Sequence, residues 1–166
     1  MRKHIPLTIE RVIELLSYDS DTGLFVWRKP RRCVNAGDVA GCIRPDGYRV
    51  IGIDGGLYRA NRLAWMAHYG SLPKHHVDHI NGDRDDNRIL NLRDVSRSVN
   101  AQNLKNAHSD STHGFLGVCF NKASGKYRAD IRVCGRQKHL GQFENANDAH
   151  EAYVQAKRDL HEGNTL

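Results

Sequence analysis

The stretch "HHVDHINGDRDDNRILNLR", residues 75–93, constrains this chain more than any other. Its two sides are β-prone: "VDHI" comes first, and "ILNLRDV" follows about ten residues later. Between them, Asn81-Gly82-Asp83-Arg84-Asp85-Asp86-Asn87 is too polar to be buried and is rich in turn formers. The pattern then predicts a helix over 97–105, with Ser96 at its N-cap position. Strand, long loop, strand, helix is a compact frame that would present Asp78 and His79 opposite a helical Asn100.

The flanking segments predict an α+β chain. Thr8 can cap a short helix on which Ile9, Val12, Ile13, Leu15 and Leu16 fall at helical spacing. "YDSDTGLFVWRKP" reads as an Asp/Gly turn entering a strand over 24–28. Strands over 48–53 and 57–60 are joined through Asp54-Gly55-Gly56, a hairpin signal. "NRLAWMAHYG" reads as a buried helix stopped by Gly70, with Pro73 beyond it. Trp27 and Trp65 are expected as core anchors of this part.

Beyond the loop and its helix, residues 106–114 are small and polar, the composition of a linker. Three short strands follow, turning at Ala123-Ser124-Gly125 and Cys134-Gly135-Arg136. Asn145 then opens a last helix, with Asp148 in its first turn. Ala146, Ala149, Ala152, Tyr153, Ala156 and Leu160 form one face of it, suited to close packing on a sheet. The predicted modules are a small N-terminal α+β part (1–70), a strand–strand–helix core (71–105), a linker (106–116), and a three-stranded antiparallel sheet packed on one helix (117–163).

The formal charge of +6 and a sequence pI near 9.3 favour polyanionic partners. No apolar run approaches the length needed to span a bilayer, and no secretory core follows the basic start Met1–Pro6, so a soluble, cytoplasmic protein without a membrane partner is expected. Cys33, Cys42, Cys119 and Cys134 contain no C-x-x-C pair. They are expected as small buried or half-buried thiols, not disulfides.

Several chemistries compete for the acidic loop. One is a solvated loop with none. A calcium loop is excluded, because Arg88 stands where glycine is needed and Asp94 where a bidentate glutamate is needed. A zinc site from His75, His76 and His79 lacks cysteine at ligand spacing. A fourth reading joins the Asp78 carboxylate and the Asn100 amide as hard ligands for Mg²⁺ or Mn²⁺. A neutral His79 beside that metal could take a proton from an attacking water.

"VDHINGDRDDNRILNLRDVSRSVNAQN" resembles the ββα-metal motif of HNH endonucleases, in the form common in phage homing endonucleases. That motif runs aspartate-histidine, asparagine-leucine on the second strand, then asparagine on the helix; this chain has Asp78-His79, Asn91-Leu92 and Asn100. "LLSYDSDTGLFVW", "GYRVIGIDG" and "RLAWMAHYG" resemble the region that often precedes it. The resemblance implies that Asp78 and Asn100 ligate the metal, His79 is the general base, and Asn91 braces the loop. Asparagine at the last position, where many members carry histidine, implies one magnesium or manganese ion per site and no small-molecule cofactor. Arg93 and Arg97 stand near enough in sequence to contact phosphate.

From Gly117 to Phe143 the cations Lys122, Lys126, Arg128, Arg132, Arg136 and Lys138 face one carboxylate, Asp130. On the central strand Lys126, Arg128, Asp130 and Arg132 share one side, while Tyr127, Ala129, Ile131 and Val133 share the other. "GVCFNKASGKYRADIRV" with "KHLGQFENANDAHEAYVQAKRDLHEG" resembles the AP2-type DNA-binding domain, with Tyr127 where that family frequently has tryptophan. Such a sheet can enter a major groove. The two resemblances together imply a DNA endonuclease acting on double-stranded DNA as a monomer or homodimer. The alternative is a non-catalytic DNA-binding protein that keeps the HNH frame as scaffold.

Overall fold

A computed structural model of the chain describes residues 7–104 and 114–164. The start Met1–Pro6, Lys105 and most of the expected linker, 106–113, lie outside the described residues. Helices and small antiparallel sheets alternate, an α+β architecture. The chain divides into two compact units between Ser96 and Arg97.

In the first unit, Thr8 caps α1 (Ile9–Leu15), its Oγ1 accepting the Arg11 amide at 3.3 Å. Leu16, expected on that helix, instead opens β1 (Leu16–Tyr18) and pairs with Trp27 of β2 (Phe25–Trp27). Extending the chain there sets two apolar side chains opposite each other, and both are buried. β3 (Cys42–Ile43), β4 (Arg49–Ile53) and β5 (Gly56–Arg59) form a second sheet in that order. Asp54 and Gly55 both take positive φ, 50° and 85°, the conformation a two-residue hairpin turn needs. α2 (Ala60–Tyr69) follows at once and stops at Gly70.

The loop region folds as β6 (His76–His79), a 3₁₀ turn (Ile89–Asn91) and β7 (Leu92–Val95). The second β-prone segment therefore becomes strand only from Leu92. Ile89 is buried, whereas Leu90 is 89% exposed, so the turn inserts one apolar residue and releases the next. Val77, Ile89 and Leu92 join the same core as Val12, Leu16, Phe25, Trp27, Ile51 and Leu63. Asn61 of α2 donates from Nδ2 to the Val77 carbonyl at 3.1 Å, tying α2 to β6. Trp27 is buried, and Trp65 packs partly buried against the core.

The second unit begins with α3 (Arg97–Gln102), then β8 (Val118–Asn121), β9 (Lys126–Val133), β10 (Arg136–Phe143) and α4 (Ala146–Leu160). β9 is central, and α4 packs on this sheet over Ala129 and Ile131. Asn145 caps α4, its Oδ1 accepting the Asp148 amide at 2.9 Å. The expected small-residue face is buried or half-buried. Lys157 joins it, 1% exposed, its Nζ donating to the Leu104 carbonyl.

The cysteines overturn their expectation, since all four are exposed. Cys33 and Cys134 sit at positive φ in turns, Cys42 lies on the outer strand β3, and Cys119 on the outer strand β8 pairs with Arg128. Turn and edge positions present these small side chains to solvent. Among the described residues no helix is long and apolar enough to cross a membrane.

Candidate active site

Strand alternation sends Asp78 and His79 to opposite sides of β6, yet both sides are covered: Asp78 is 8% exposed and His79 3%. Asp78 stands directly across from Arg93 on β7. Arg93 donates from Nε at 3.0 Å and Nη2 at 2.8 Å, both to Asp78 Oδ2. The residue named from sequence as a phosphate contact is thus the counter-ion of the proposed metal ligand.

His79 turns towards the loop. Its Nε2 lies 3.3 Å from Asn87 Oδ1, and Asn87 is itself 1% exposed. Tyr48 packs beside the imidazole, ring centroids 5.8 Å apart. Burial pushes the His79 pKa below the usual imidazole value, outweighing the Asn87 hydrogen bond and the carboxylates of Asp78, Asp83 and Asp86, which act upward. The ring is therefore neutral at neutral pH, the form a base requires.

Asn91 clamps the loop at both ends. Its Oδ1 accepts the Asn81 amide at 3.0 Å, and its Nδ2 donates to Asn81 Oδ1 at 3.0 Å and to the Asp86 carbonyl at 2.8 Å. The loop carboxylates are engaged by groups of the protein itself. Asp83 accepts the Asp85 amide, Asp85 takes a two-pronged bond from Arg49 at 2.8 and 2.9 Å, and Asp86 takes one from Arg88. His76 is exposed, and His75 sits beside Asp94. Among the described residues no three His, Cys, Asp or Glu side chains assemble to hold a metal.

Asn100 and Arg97 lie on α3, in the second unit. The expected cationic sheet is divided by register. Arg132 pairs with Gln137, whereas Lys138 pairs with Ile131 and Arg136 with Val133. Cross-strand partners share a side, so Arg136 and Lys138 occupy the side of Ile131, opposite Arg132. Arg128 is held by Asp130 at 2.6 Å and Lys126 by Glu144 at 2.7 Å. Among the described residues Lys122, Arg132, Arg136 and Lys138 have no carboxylate within salt-bridge distance.

Sequence reasoning missed Asn87 and an aromatic–cation group around Tyr48. The Arg59 guanidinium lies 3.9 Å and that of Arg84 5.2 Å from the Tyr48 ring centre. Positions 48, 59 and 84 share no periodicity, so only the fold brings them together. Asn87 carried only a turn-former signal inside a loop read as solvated.

A family model described as HNH endonuclease matches residues 58–102. Protein 3.8 of Escherichia phage T7 is 30% identical over 88 residues, covering 51% of this chain and 72% of that protein. This chain belongs to the HNH endonuclease family. No solved structure matches it significantly. The HNH span takes in α2, β6, β7 and α3, so two strands and a helix follow one another within it. HNH nucleases generally use a divalent metal. The donor chemistry fits a hard cation: Asp78 supplies carboxylate oxygens on the strand that carries a neutral imidazole.

Proposed function

We propose that this HNH protein is a metal-dependent DNA endonuclease that hydrolyses phosphodiesters with His79 as general base. The observation that carries the reading is a buried imidazole next in sequence to a buried carboxylate at the end of β6, where the loop clamped by Asn91 begins. His79 takes a proton from the water that attacks phosphorus; the new P–O bond forms as the bond to the leaving sugar oxygen breaks. Asp78 is the carboxylate ligand for Mg²⁺ or Mn²⁺, and Asn100 is the amide ligand that motif order supplies. When bound, the cation stabilises negative charge on the phosphate and the leaving oxygen. Asn91 holds the loop in place, and Arg93 orients the Asp78 carboxylate.

The proposal extends to the second unit. A three-stranded sheet backed by α4 supports an AP2-like docking role on duplex DNA, in the manner of a homing endonuclease. Arg132, Lys122 in the β8–β9 turn, and Arg136 and Lys138 on the side of the sheet opposite Arg132 are its candidate phosphate contacts.

The Asp78–Arg93 ion pair favours a second reading, in which a guanidinium permanently occupies the metal's place and the protein binds DNA without cutting it. Supercoiled plasmid incubated with EDTA, Mg²⁺ or Mn²⁺ separates the two. The first reading expects nicked or linear product only with metal, and a loss of about 10²- to 10⁴-fold in His79→Ala. Salt-sensitive binding with no product under any ion supports the second.

A further inference from the structure

The Asn87 amide is oriented by its own surroundings. Its Nδ2 donates to the Asp85 carbonyl at 2.9 Å, and its backbone amide reaches the same oxygen at 3.0 Å. Turning the amide over would set its oxygen against that carbonyl, so Oδ1 is the atom presented to His79. An oxygen there can only accept. The hydrogen of this contact, 3.3 Å between Nε2 and Oδ1, must therefore sit on His79 Nε2, and Nδ1 then holds the lone pair of the neutral ring.

Asn87 is in turn held from the N-terminal hairpin, far away in sequence. The Tyr18 hydroxyl on β1 donates to the Asn87 carbonyl at 2.7 Å. The Ile89 amide donates to the Ser20 carbonyl at 3.2 Å, bracketing Asn87 between two anchors. Gly23 completes the contact: at φ +75°, a β-carbon on it would lie 2.4 Å from the Arg88 nitrogen and 2.6 Å from the Asn87 carbonyl carbon. Only glycine lets the β1–β2 turn approach the loop this closely.

We infer that Asn87 is the positioning residue of the general base, fixing His79 in the Nε2–H tautomer so that Nδ1 takes the water proton, and that the β1–β2 turn is its buttress. This rests on the general-base reading of His79 and adds to it. It makes the N-terminal hairpin part of the active-site machinery. It also separates two asparagines with different tasks, since Asn91 ties the ends of the loop while Asn87 addresses the imidazole.

The test uses the full chain, selectively ¹⁵N-labelled at histidine, in mildly alkaline buffer with EDTA. The two ring nitrogens of a neutral imidazole differ in shift according to which carries hydrogen. The wild type is expected to show His79 as Nε2–H; a dominant Nδ1–H form overturns the inference without any variant. Asn87→Leu is expected to mix the tautomers and lower kcat for plasmid nicking about 10²-fold at nearly constant KM. A folded Asn87→Leu chain with wild-type tautomer and kcat overturns the role. Tyr18→Phe is expected to reduce kcat about tenfold, and unchanged kcat removes the buttress. Full cleavage by His79→Ala would sink the general-base reading while leaving the tautomer result intact, so the two failures are distinguishable.

Discussion

Replacing Asn91 by alanine removes three side-chain hydrogen bonds from a residue that is 8% exposed. Each such bond contributes about 0.5–1.5 kcal/mol net, and groups left buried without partners add to the loss. The Asn81 amide and the Asp86 carbonyl both lose a partner, so Asn91→Ala should destabilise the first unit by about 2–4 kcal/mol. Asn91→Asp should not rescue it, because a carboxylate can accept from Asn81 but cannot donate to the Asp86 carbonyl. Both tryptophans, Trp27 and Trp65, lie in the first unit, so their fluorescence during urea unfolding reads this change directly. Plasmid nicking is then measured well below the unfolding midpoint, with rates expressed per folded molecule. A loop released at both ends should let His79 drift from the attacking water, lowering that rate about 10²-fold. An unchanged rate per folded molecule would refute the clamp as a catalytic device. An unfolding free energy within about 0.5 kcal/mol of wild type would refute the hydrogen-bond argument itself.

Three further outcomes follow from other parts of the molecule. Burial lowers the folded-state pKa of His79 below its unfolded value, so the folded chain prefers the neutral ring. The associated stability should be complete above about pH 6.5 and lost as pH falls through the folded value, and NMR titration in EDTA placing His79 above the unfolded range would contradict this. Gly117→Ala sets a β-carbon 1.9 Å from the Tyr153 ring at φ +71°, which should destabilise the second unit by about 2–5 kcal/mol in far-UV circular dichroism melts; a wild-type midpoint would show the ring can yield. Arg132→Ala should weaken duplex binding and reduce the magnitude of the salt slope by about one, whereas an unchanged slope would remove that side of the sheet from the DNA contact.

Short-range rules were legible in this chain because their partners are close in sequence. Thr8 and Asn145 cap their helices, Asp54-Gly55 turns its hairpin, and Gly70 ends α2, each through atoms a few residues apart. The motif residues were legible for a related reason: Asp78, His79 and Asn91 lie within one strand–loop–strand unit, so their order carries their neighbourhood. Alternation along β9 likewise predicted which residues would meet α4, and Ala129 and Ile131 are buried there.

Other features depended on contacts between distant segments, which no local pattern encodes. Leu16 left the helical spacing of α1 because Trp27 offered a better buried partner. The division of the cations between two sides of the C-terminal sheet followed from the register of β10 on β9. The burial of Lys157 likewise depends on the Leu104 carbonyl, far from it in sequence. The sequence alone determined the helix caps, the turns and the identity of the chemical groups, since backbone preference and local hydrogen bonding act over one or two turns of chain. Only the tertiary structure decided that Arg93 would pair with Asp78 and that Asn87, held by Tyr18, would address His79. Those pairings exist because a shared core draws together strands whose side chains have no other reason to meet.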